Sequence, residues 1–160
     1  IHDIARASTT YGIHRYFIVN RLEEQLMFVS RVLDHWRTGY GKTYNHKRRT
    51  ALSQVRTAKT VEEAIASFET KPLIVTTSAR DYGERGIGFS QLREKIWTGD
   101  SLEGRPLLLL FGTGWGLHDE LMERCDMILE PIKGMPPEDY RHLSVRSAVS
   151  ICLDRLLGKW

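Results

Sequence analysis

Short apolar runs alternate along the chain with longer stretches in which apolar residues recur at helical spacing. The short runs predict strands at residues 14–19, 54–58, 73–77, 107–111 and 127–129. The helical spacing predicts helices at residues 3–12, 20–36, 60–68, 90–97 and 144–156. Strand followed by helix is the pattern of crossover units, because parallel neighbours need a long connection. We therefore predict a three-layer α/β fold with a mostly parallel sheet and helices on both faces, in a single domain spanning residues 1–160.

An unbroken apolar run, LLLLF at residues 107–111, ends abruptly in the glycine-rich stretch GTGWG. Its boundaries, Pro106 and Gly112, are typical of a short, doubly buried strand and not of a helix. The run at residues 127–129 likewise stops just before Pro131. We expect these two strands to end in irregular loops side by side. Backbone groups beyond strand ends lack ladder partners, so this edge is the predicted ligand site.

Charge is unevenly distributed, although the formal net charge is only +3. Residues 37–59, here called the basic segment, contain seven Lys or Arg and no acid. Interleaving with Tyr40, Tyr44 and His46 indicates an RNA surface, where cations meet phosphates and rings stack on bases. A solvated basic loop is the alternative. We predict a mobile loop that contacts RNA through Lys42, Lys47, Arg48, Arg49, Arg56 and Lys59.

Composition argues against several other classes of protein. The two cysteines, Cys125 and Cys152, form no close pair, which favours reduced thiols in a cytoplasmic protein. The six histidines are scattered without ligand spacing, so we expect no metal. No apolar run approaches a membrane-spanning length, and no signal peptide is visible.

The glycine-rich stretch also suggests a dinucleotide-binding loop, since it follows a strand and Glu130 ends the next strand. That fingerprint needs its third glycine where this chain has Leu117. The helix predicted between the two strands is barely two turns long, too short for the usual packing. A loop that merely turns the chain is a further alternative.

Four segments, in order, resemble the motifs of the SPOUT RNA methyltransferases: Ala5-Arg6, TTSAR at residues 76–80, FGTGWGLHDEL at residues 111–121 and HLSVRSAV at residues 142–149. The resemblance covers nearly the whole chain. It implies a C-terminal trefoil knot, S-adenosylmethionine as cofactor, and tRNA or rRNA as substrate. In that family a strand precedes the Ala-Arg helix, so we expect the chain as given to lack its first strand.

The cofactor site implied by the resemblance lies at the ends of three strands. Backbone groups of Leu110, Gly112, Ile132 and Leu143 are predicted to bracket the adenine. The full predicted set is Thr76, Thr77, Ser78, Leu110, Phe111, Gly112, Thr113, Gly114, Gly116, Leu117, Ile132, Gly134, Leu143, Ser144 and Ala148.

The TTSAR segment resembles the branch of the family that methylates the ribose 2′-hydroxyl. Arg6 is predicted to hold a nucleotide phosphate and to ease deprotonation of that hydroxyl, which Ser144 positions. Arg80 and Arg146 are the other catalytic candidates. Methylation of a guanine ring nitrogen is the alternative, with Asp81 or Glu138 as base.

The second and third motifs each depart from the family pattern. Where ribose methyltransferases carry a Glu in the second motif, this chain has Gly114 and Trp115, and the Asn of the third motif is Ser144. A module that binds cofactor and RNA without turnover is therefore a further alternative.

The resemblance also implies a homodimer that pairs near the last helix. That helix carries more apolar residues than one sheet needs, and we expect Leu153, Leu157 and Trp160 to remain for a partner subunit.

Overall fold

A computed structural model describes residues 1–39, 41–99 and 102–159. The chain divides into two compact units, Ile1–Glu69 and Thr70–Trp160. Parallel strands and helices make up both units, which confirms the predicted α/β class. The strands form two separate sheets, however, and not the single sheet that the pattern predicted.

The described residues of the first unit form two parallel strands and five helices. Its elements are α1 (His2–Thr10), β1 (Tyr16–Val19), α2 (Glu23–Arg37), α3 (Gly41–Tyr44), α4 (His46–Ser53), β2 (Val55–Ala58) and α5 (Val61–Ala66). Tyr16 pairs with Val55, and the register continues to the end of both strands. The buried core joins α1, α2, α4 and β2 through Ala5, Val29, Leu33, Ala51, Leu52 and Val55.

The prediction that the basic segment is a mobile loop was wrong, because most of it forms α3 and α4. The Asn45 carboxamide oxygen accepts a hydrogen bond from the Arg48 amide at 3.0 Å and so caps α4. At the other end, the Arg37 guanidinium donates to the carbonyls of Leu52 and Val55 at 2.9 and 2.6 Å. Side-chain capping of both ends stabilises a short helix that a charge count reads as a loop. Tyr40 and the Lys42 side chain lie outside the described residues.

In the second unit, the part that the structure describes contains four parallel strands in the order β4-β6-β3-β5. Its elements are β3 (Leu73–Thr77), a 3₁₀ turn (Gly83–Arg85), β4 (Gly86–Ile87), α6 (Phe89–Thr98), β5 (Leu107–Leu110), α7 (Asp119–Arg124), β6 (Met127–Leu129) and α8 (Val145–Leu157). β4 was not predicted, because two residues carry no periodicity. The expectation that β5 and β6 lie side by side was wrong, since β3 lies between them.

Helices α6 and α8 pack on one face of this sheet. Their buried cluster joins strand and helix residues: Val75, Phe89, Leu92, Leu129, Cys152 and Leu156. Leu153 is also buried and Leu157 is half-buried, so α8 does not leave the apolar surface expected from its sequence. Trp160 lies outside the described residues. In the first unit, the exposed apolar side chains include Leu22, Met27 and Phe28, at and near the start of α2. Within the described ranges, no helix is long and apolar enough to cross a membrane.

The packing of α6 predicts a stability difference between two leucines. Leu92 is 0% exposed and Leu22 is 60% exposed. Leu92→Ala should lower the free energy of unfolding by about 2–5 kcal/mol, because it leaves a cavity. Leu22→Ala, the matched control, should change it by less than about 0.5 kcal/mol. Urea denaturation followed by circular dichroism measures both, and equal effects would contradict the assigned packing.

Candidate functional site

The carboxyl ends of three strands lie level at one edge of the second sheet. Thr76 of β3 is in register with Leu110 of β5 on one side and with Ile128 of β6 on the other. After β3 the chain forms β4 at the far edge of the sheet, crosses to β5 on the other side of β3, and then returns to β6, between β4 and β3. Such a reversal opens a crevice beyond the central strand. With neighbouring strands about 4.8 Å apart, the ends of β5 and β6 flank it at roughly 10 Å.

The loop after β5 is a tight turn held against its own backbone. The Gly116 amide donates to the Thr113 carbonyl at 3.1 Å, and Gly114 and Gly116 have φ of 57° and 92°. A Cβ atom at Gly112 would lie 2.3 Å from the carbonyl carbon of Gly116. Any side chain at Gly112 would therefore push the loop apart, because real Cβ atoms do not approach that closely.

The loop after β6, residues 130–143, is folded on itself around one carboxylate. Asp139 accepts a hydrogen bond from the Gly134 amide at 2.7 Å and a second from Arg141 Nε at 2.7 Å. Arg141 also pairs with this carboxylate through Nη2. The hydrogen bond from Arg141 lowers the pKa of Asp139 below its usual range. Gly134 fits closely, since a Cβ there would lie 2.8 Å from the Tyr140 amide nitrogen.

Several backbone groups at this edge are available to a ligand. The amide and carbonyl groups of Gly112 and Ile132, and the Leu143 carbonyl, make no hydrogen bond with any residue that the structure describes. The Leu110 carbonyl already accepts a hydrogen bond from the Thr77 hydroxyl at 2.9 Å. An adenine ring needs backbone donors and acceptors of this kind along its polar edge. The residues present therefore fit the adenosine part of S-adenosylmethionine.

A ligand in the crevice cannot reach the side chain of Thr76. It is fully buried, and its hydroxyl lies 3.3 Å from the Cys125 sulfur, to which it donates. The reason is the central place of β3, whose side chains alternate between two covered faces. Of the other predicted residues, Phe111 and Ile132 pack against the core cluster, and the Ser78 hydroxyl accepts from the Arg80 amide at 3.0 Å. Thr113, Gly114 and Gly116 are exposed, and Leu117 and Ala148 are half-buried.

Three of the four catalytic candidates lie in the second unit. Ser144 caps α8, where its hydroxyl accepts from the Ser147 amide at 3.3 Å. Arg80 is exposed on the loop after β3, and Arg146 is exposed on the first turn of α8. Arg6 belongs to the first unit, on α1, and its guanidinium makes no hydrogen bond or ion pair with the described part of the chain.

Contacts within the first unit engage three of the six predicted RNA-binding side chains. The Arg48 guanidinium lies 4.7 Å from the centre of the Trp36 ring. Arg56 donates to the Ser53 and Val55 carbonyls at 2.6 and 3.0 Å. Lys59 Nζ lies 2.5 Å from the Glu23 carboxylate.

Lys47 is exposed and Arg49 is half-buried, both on α4. Neither side chain has a polar partner within the described ranges, so these two cations are available for phosphate. The stacking candidates Tyr44 and His46 are also exposed.

Of the two candidate bases, Asp81 lines a hollow of about 160 Å³ together with Glu130 and Lys133. Small-molecule sites usually measure about 300–1,000 Å³, so this hollow is small. Asp81 accepts from the Gly83 amide at 3.0 Å and lies 3.8 Å from Lys133 Nζ. Glu138 is exposed on the loop after β6. The described residues contain no cluster of three or more His, Cys, Asp or Glu that could hold a metal.

Sequence reasoning missed two features of this edge. The ion pair between Asp139 and Arg141 holds the loop after β6, and only the short spacing of opposite charges could have indicated it. Trp115 was noted as a departure from a family motif but was assigned no role. It is fully exposed at the tip of the loop after β5.

Residues 1–158 match the model of a family described as SAM-dependent RNA methyltransferase, and the chain belongs to that family. It is 43% identical over 162 residues to a "tRNA (guanine-N(1)-)-methyltransferase" of Oleidesulfovibrio alaskensis, covering 99% of this chain and 36% of that protein. The chain thus spans little more than a third of the length of the curated relatives it matches first.

Two solved structures show the same fold. TrmJ from Z. mobilis ZM4 matches with a TM-score of 0.65 and 20% identity, over 99% of this chain and 63% of that one. A structure described as giving insights into the 2-OH methylation of C/U34 on tRNA matches with a TM-score of 0.55 and 16% identity, over 99% and 88%. With the family match, these findings confirm the resemblance to SPOUT methyltransferases and the predicted cofactor class.

The ion pair in the loop after β6 predicts a pH dependence of cofactor binding. The pKa of Asp139 is lowered in the folded loop, so the ionised carboxylate stabilises that loop. This stabilisation is full above the ordinary aspartate pKa and is lost as pH falls through the lowered pKa. Affinity for S-adenosylmethionine should therefore weaken at acid pH. Asp139→Asn should bind several-fold more weakly at neutral pH and lack this acid step, whereas the control Asp119→Asn should match the parent. Calorimetric titration with S-adenosylmethionine at several pH values measures these affinities. If Asp139→Asn had the same affinity as the parent at every pH, the proposed role of the Asp139–Arg141 ion pair would be contradicted.

Proposed function

We propose that this chain binds S-adenosylmethionine in the crevice beyond β3 and transfers its methyl group to a ribose 2′-hydroxyl of tRNA. The observation that carries the proposal is the set of unpaired backbone groups at Gly112, Ile132 and Leu143, on the two loops that flank the crevice. When bound, the cofactor supplies a methyl group already activated by a positive sulfonium. The protein then has to orient an acceptor and help it lose a proton.

The acceptor side of the proposal rests on cations and a hydroxyl. A ribose hydroxyl loses its proton more readily near positive charge, which Arg80 and Arg146 supply from the loop after β3 and the start of α8. Ser144 is proposed to position the hydroxyl, since its own hydroxyl can donate to a ligand when the Ser147 hydroxyl, 3.0 Å away, donates to it. Arg6, unpaired within the described chain, is the proposed phosphate ligand.

The proposal includes several features beyond the family match. They are the C-terminal trefoil knot, one three-layer domain over residues 1–160, a homodimer, and a cytoplasmic location. The resemblance to SPOUT motifs supports the knot and the dimer, and an RNA substrate supports the location. We propose tRNA ahead of rRNA because the relative at 43% identity is named as a tRNA methyltransferase.

Methylation of guanine N1 in tRNA is the second candidate, favoured by the name of that same relative. A guanine ring nitrogen needs a base to take its proton. Glu138 is exposed on the loop after β6 and makes no polar contact with the residues described, whereas Asp81 is engaged by Gly83 and faces Lys133. Glu138 is therefore the better candidate base of the two.

Transfer of labelled methyl from S-adenosylmethionine to bulk RNA of an unmodified source tests the proposal. Nuclease digestion and mass spectrometry of the product should find a 2′-O-methylated nucleoside. A methylated guanine base would instead favour the second candidate. Cofactor binding without any labelling would favour a binding module and contradict the proposed transfer.

The role proposed for Arg6 predicts a selective loss of turnover. Arg6→Ala should reduce methyl transfer about 100-fold, the scale typical of the loss of one electrostatic contact in a reacting site, with cofactor affinity unchanged. Arg6→Lys keeps the charge and should recover part of the rate. Steady-state kinetics and calorimetry measure the two effects. Parental turnover in Arg6→Ala would remove Arg6 from the mechanism.

The contacts around α4 sharpen the prediction for RNA binding. Changing Lys47 and Arg49 together to Gln should flatten the dependence of log affinity on log salt by about 1.5, because each lost phosphate contact removes a fraction of a counterion. Lys59→Gln, whose lysine pairs with Glu23, is the control and should change the slope little. Binding to bulk tRNA at several salt concentrations measures the slopes. An unchanged slope in the double variant would contradict RNA binding by these residues and would favour the alternative, a solvated basic surface.

A further inference from the structure

The loop after β5 carries a fully exposed indole on a hydrogen-bonded turn. Residues 113–116 close a turn in which Gly114 has a φ of 57° and Trp115 a negative φ, the signs of a type II′ turn. Thr113 and Gly116 also form an isolated antiparallel bridge. Gly112 packs directly beneath, with no room for a Cβ against Gly116. The turn therefore fixes the backbone at Trp115 while the side chain points away from the rest of the described chain.

The position of this turn matters because it follows β5 at the carboxyl edge. β5 is next to β3, and its last residue, Leu110, is in register with Thr76, one residue before the end of β3. Arg80 lies on the loop after β3. Its guanidinium is exposed and has no polar side-chain partner within the described ranges. Residues 111–117 contain no acid. An unpaired aromatic ring and an unpaired cation on adjacent loops match a nucleotide, whose base stacks and whose phosphate is anionic.

We propose that Trp115 stacks on an unpaired nucleobase of the RNA substrate and holds it at the edge of the crevice. This inference rests on the proposed function, which identifies the ligand as RNA. Tryptophan offers a large ring for stacking, and the hydrogen-bonded backbone of the turn has little freedom left to lose on binding. Stacking does not release counterions, so this contact adds affinity that salt does not weaken.

The test compares Trp115→Ala and Trp115→Phe with the parent, using a short single-stranded oligoadenylate and a fully paired RNA duplex as probes. Trp115→Ala should lose about 10- to 100-fold in affinity for the single strand, with the same salt slope as the parent. Trp115→Phe should retain most of the affinity, because a smaller ring still stacks. Duplex binding should not change in either variant. Phe28→Ala, which removes another exposed ring from α2, is the matched control and should bind both probes like the parent.

Three results would overturn the inference. They are parental affinity of Trp115→Ala for the single strand, an equal loss on single strand and duplex, and a loss that accompanies dissociation of a dimer in sedimentation. The last result would mean that the indole packs against a second copy of this chain. A titration with S-adenosylmethionine, expected to be unchanged, checks that the turn remains folded.

Methyl transfer separates this inference from the proposed function. If the parent binds the single strand through Trp115 but labels no RNA, the proposed function fails and the stacking contact stands. If the parent labels RNA and Trp115→Ala has the same kcat/KM, the proposed function stands and the stacking contact fails.

Discussion

Parallel pairing of β3 with a strand on each side determines where the loops of the second unit lie. Because β5 and β6 both run parallel to β3 and end level with it, three loops leave the sheet at one edge. The order of the strands also makes the chain reverse direction across β3, which opens the crevice. As the central strand, β3 is covered on both faces. Thr76 is therefore a core residue, whose hydroxyl donates a hydrogen bond to the Cys125 sulfur and does not face a ligand.

The two loops that flank the crevice are closed by contacts within themselves. In the loop after β5, the close approach of Gly112 to Gly116 sets the turn. In the loop after β6, the Asp139 carboxylate holds the Gly134 amide and the Arg141 guanidinium. Because these contacts use few of the backbone groups facing the edge, others remain for a ligand. An adenine edge can pair with such groups without any charged side chain, which suits a cofactor that itself carries a positive charge.

The sequence predicted those elements whose signal is local and regular. The apolar runs located β3, β5 and β6, and Ser144 was found as the start of α8 because it precedes an amphipathic run. Strand order was not predictable, since nothing in the apolar run at residues 107–111 specifies which neighbour it pairs with. The basic segment was predicted to be a loop because the prediction relied on its charge and did not consider helix capping by Asn45 and Arg37. The cap from Arg37 was hard to predict, because it depends on the carbonyl of Leu52, which is distant in sequence. Trp115 could be read as a motif departure, but its full exposure required the structure.

Hydrogen exchange with and without S-adenosylmethionine tests the account at its centre, the location of the cofactor. Saturating cofactor should slow amide exchange in residues 111–117 and 130–144, because it would order both loops and occupy their free amides. Exchange in residues 41–59, which belong to the basic segment, should not change, since that segment is assigned to RNA. Protection confined to residues 41–59, with both loops exchanging as before, would contradict a cofactor site at the carboxyl edge of β3, β5 and β6.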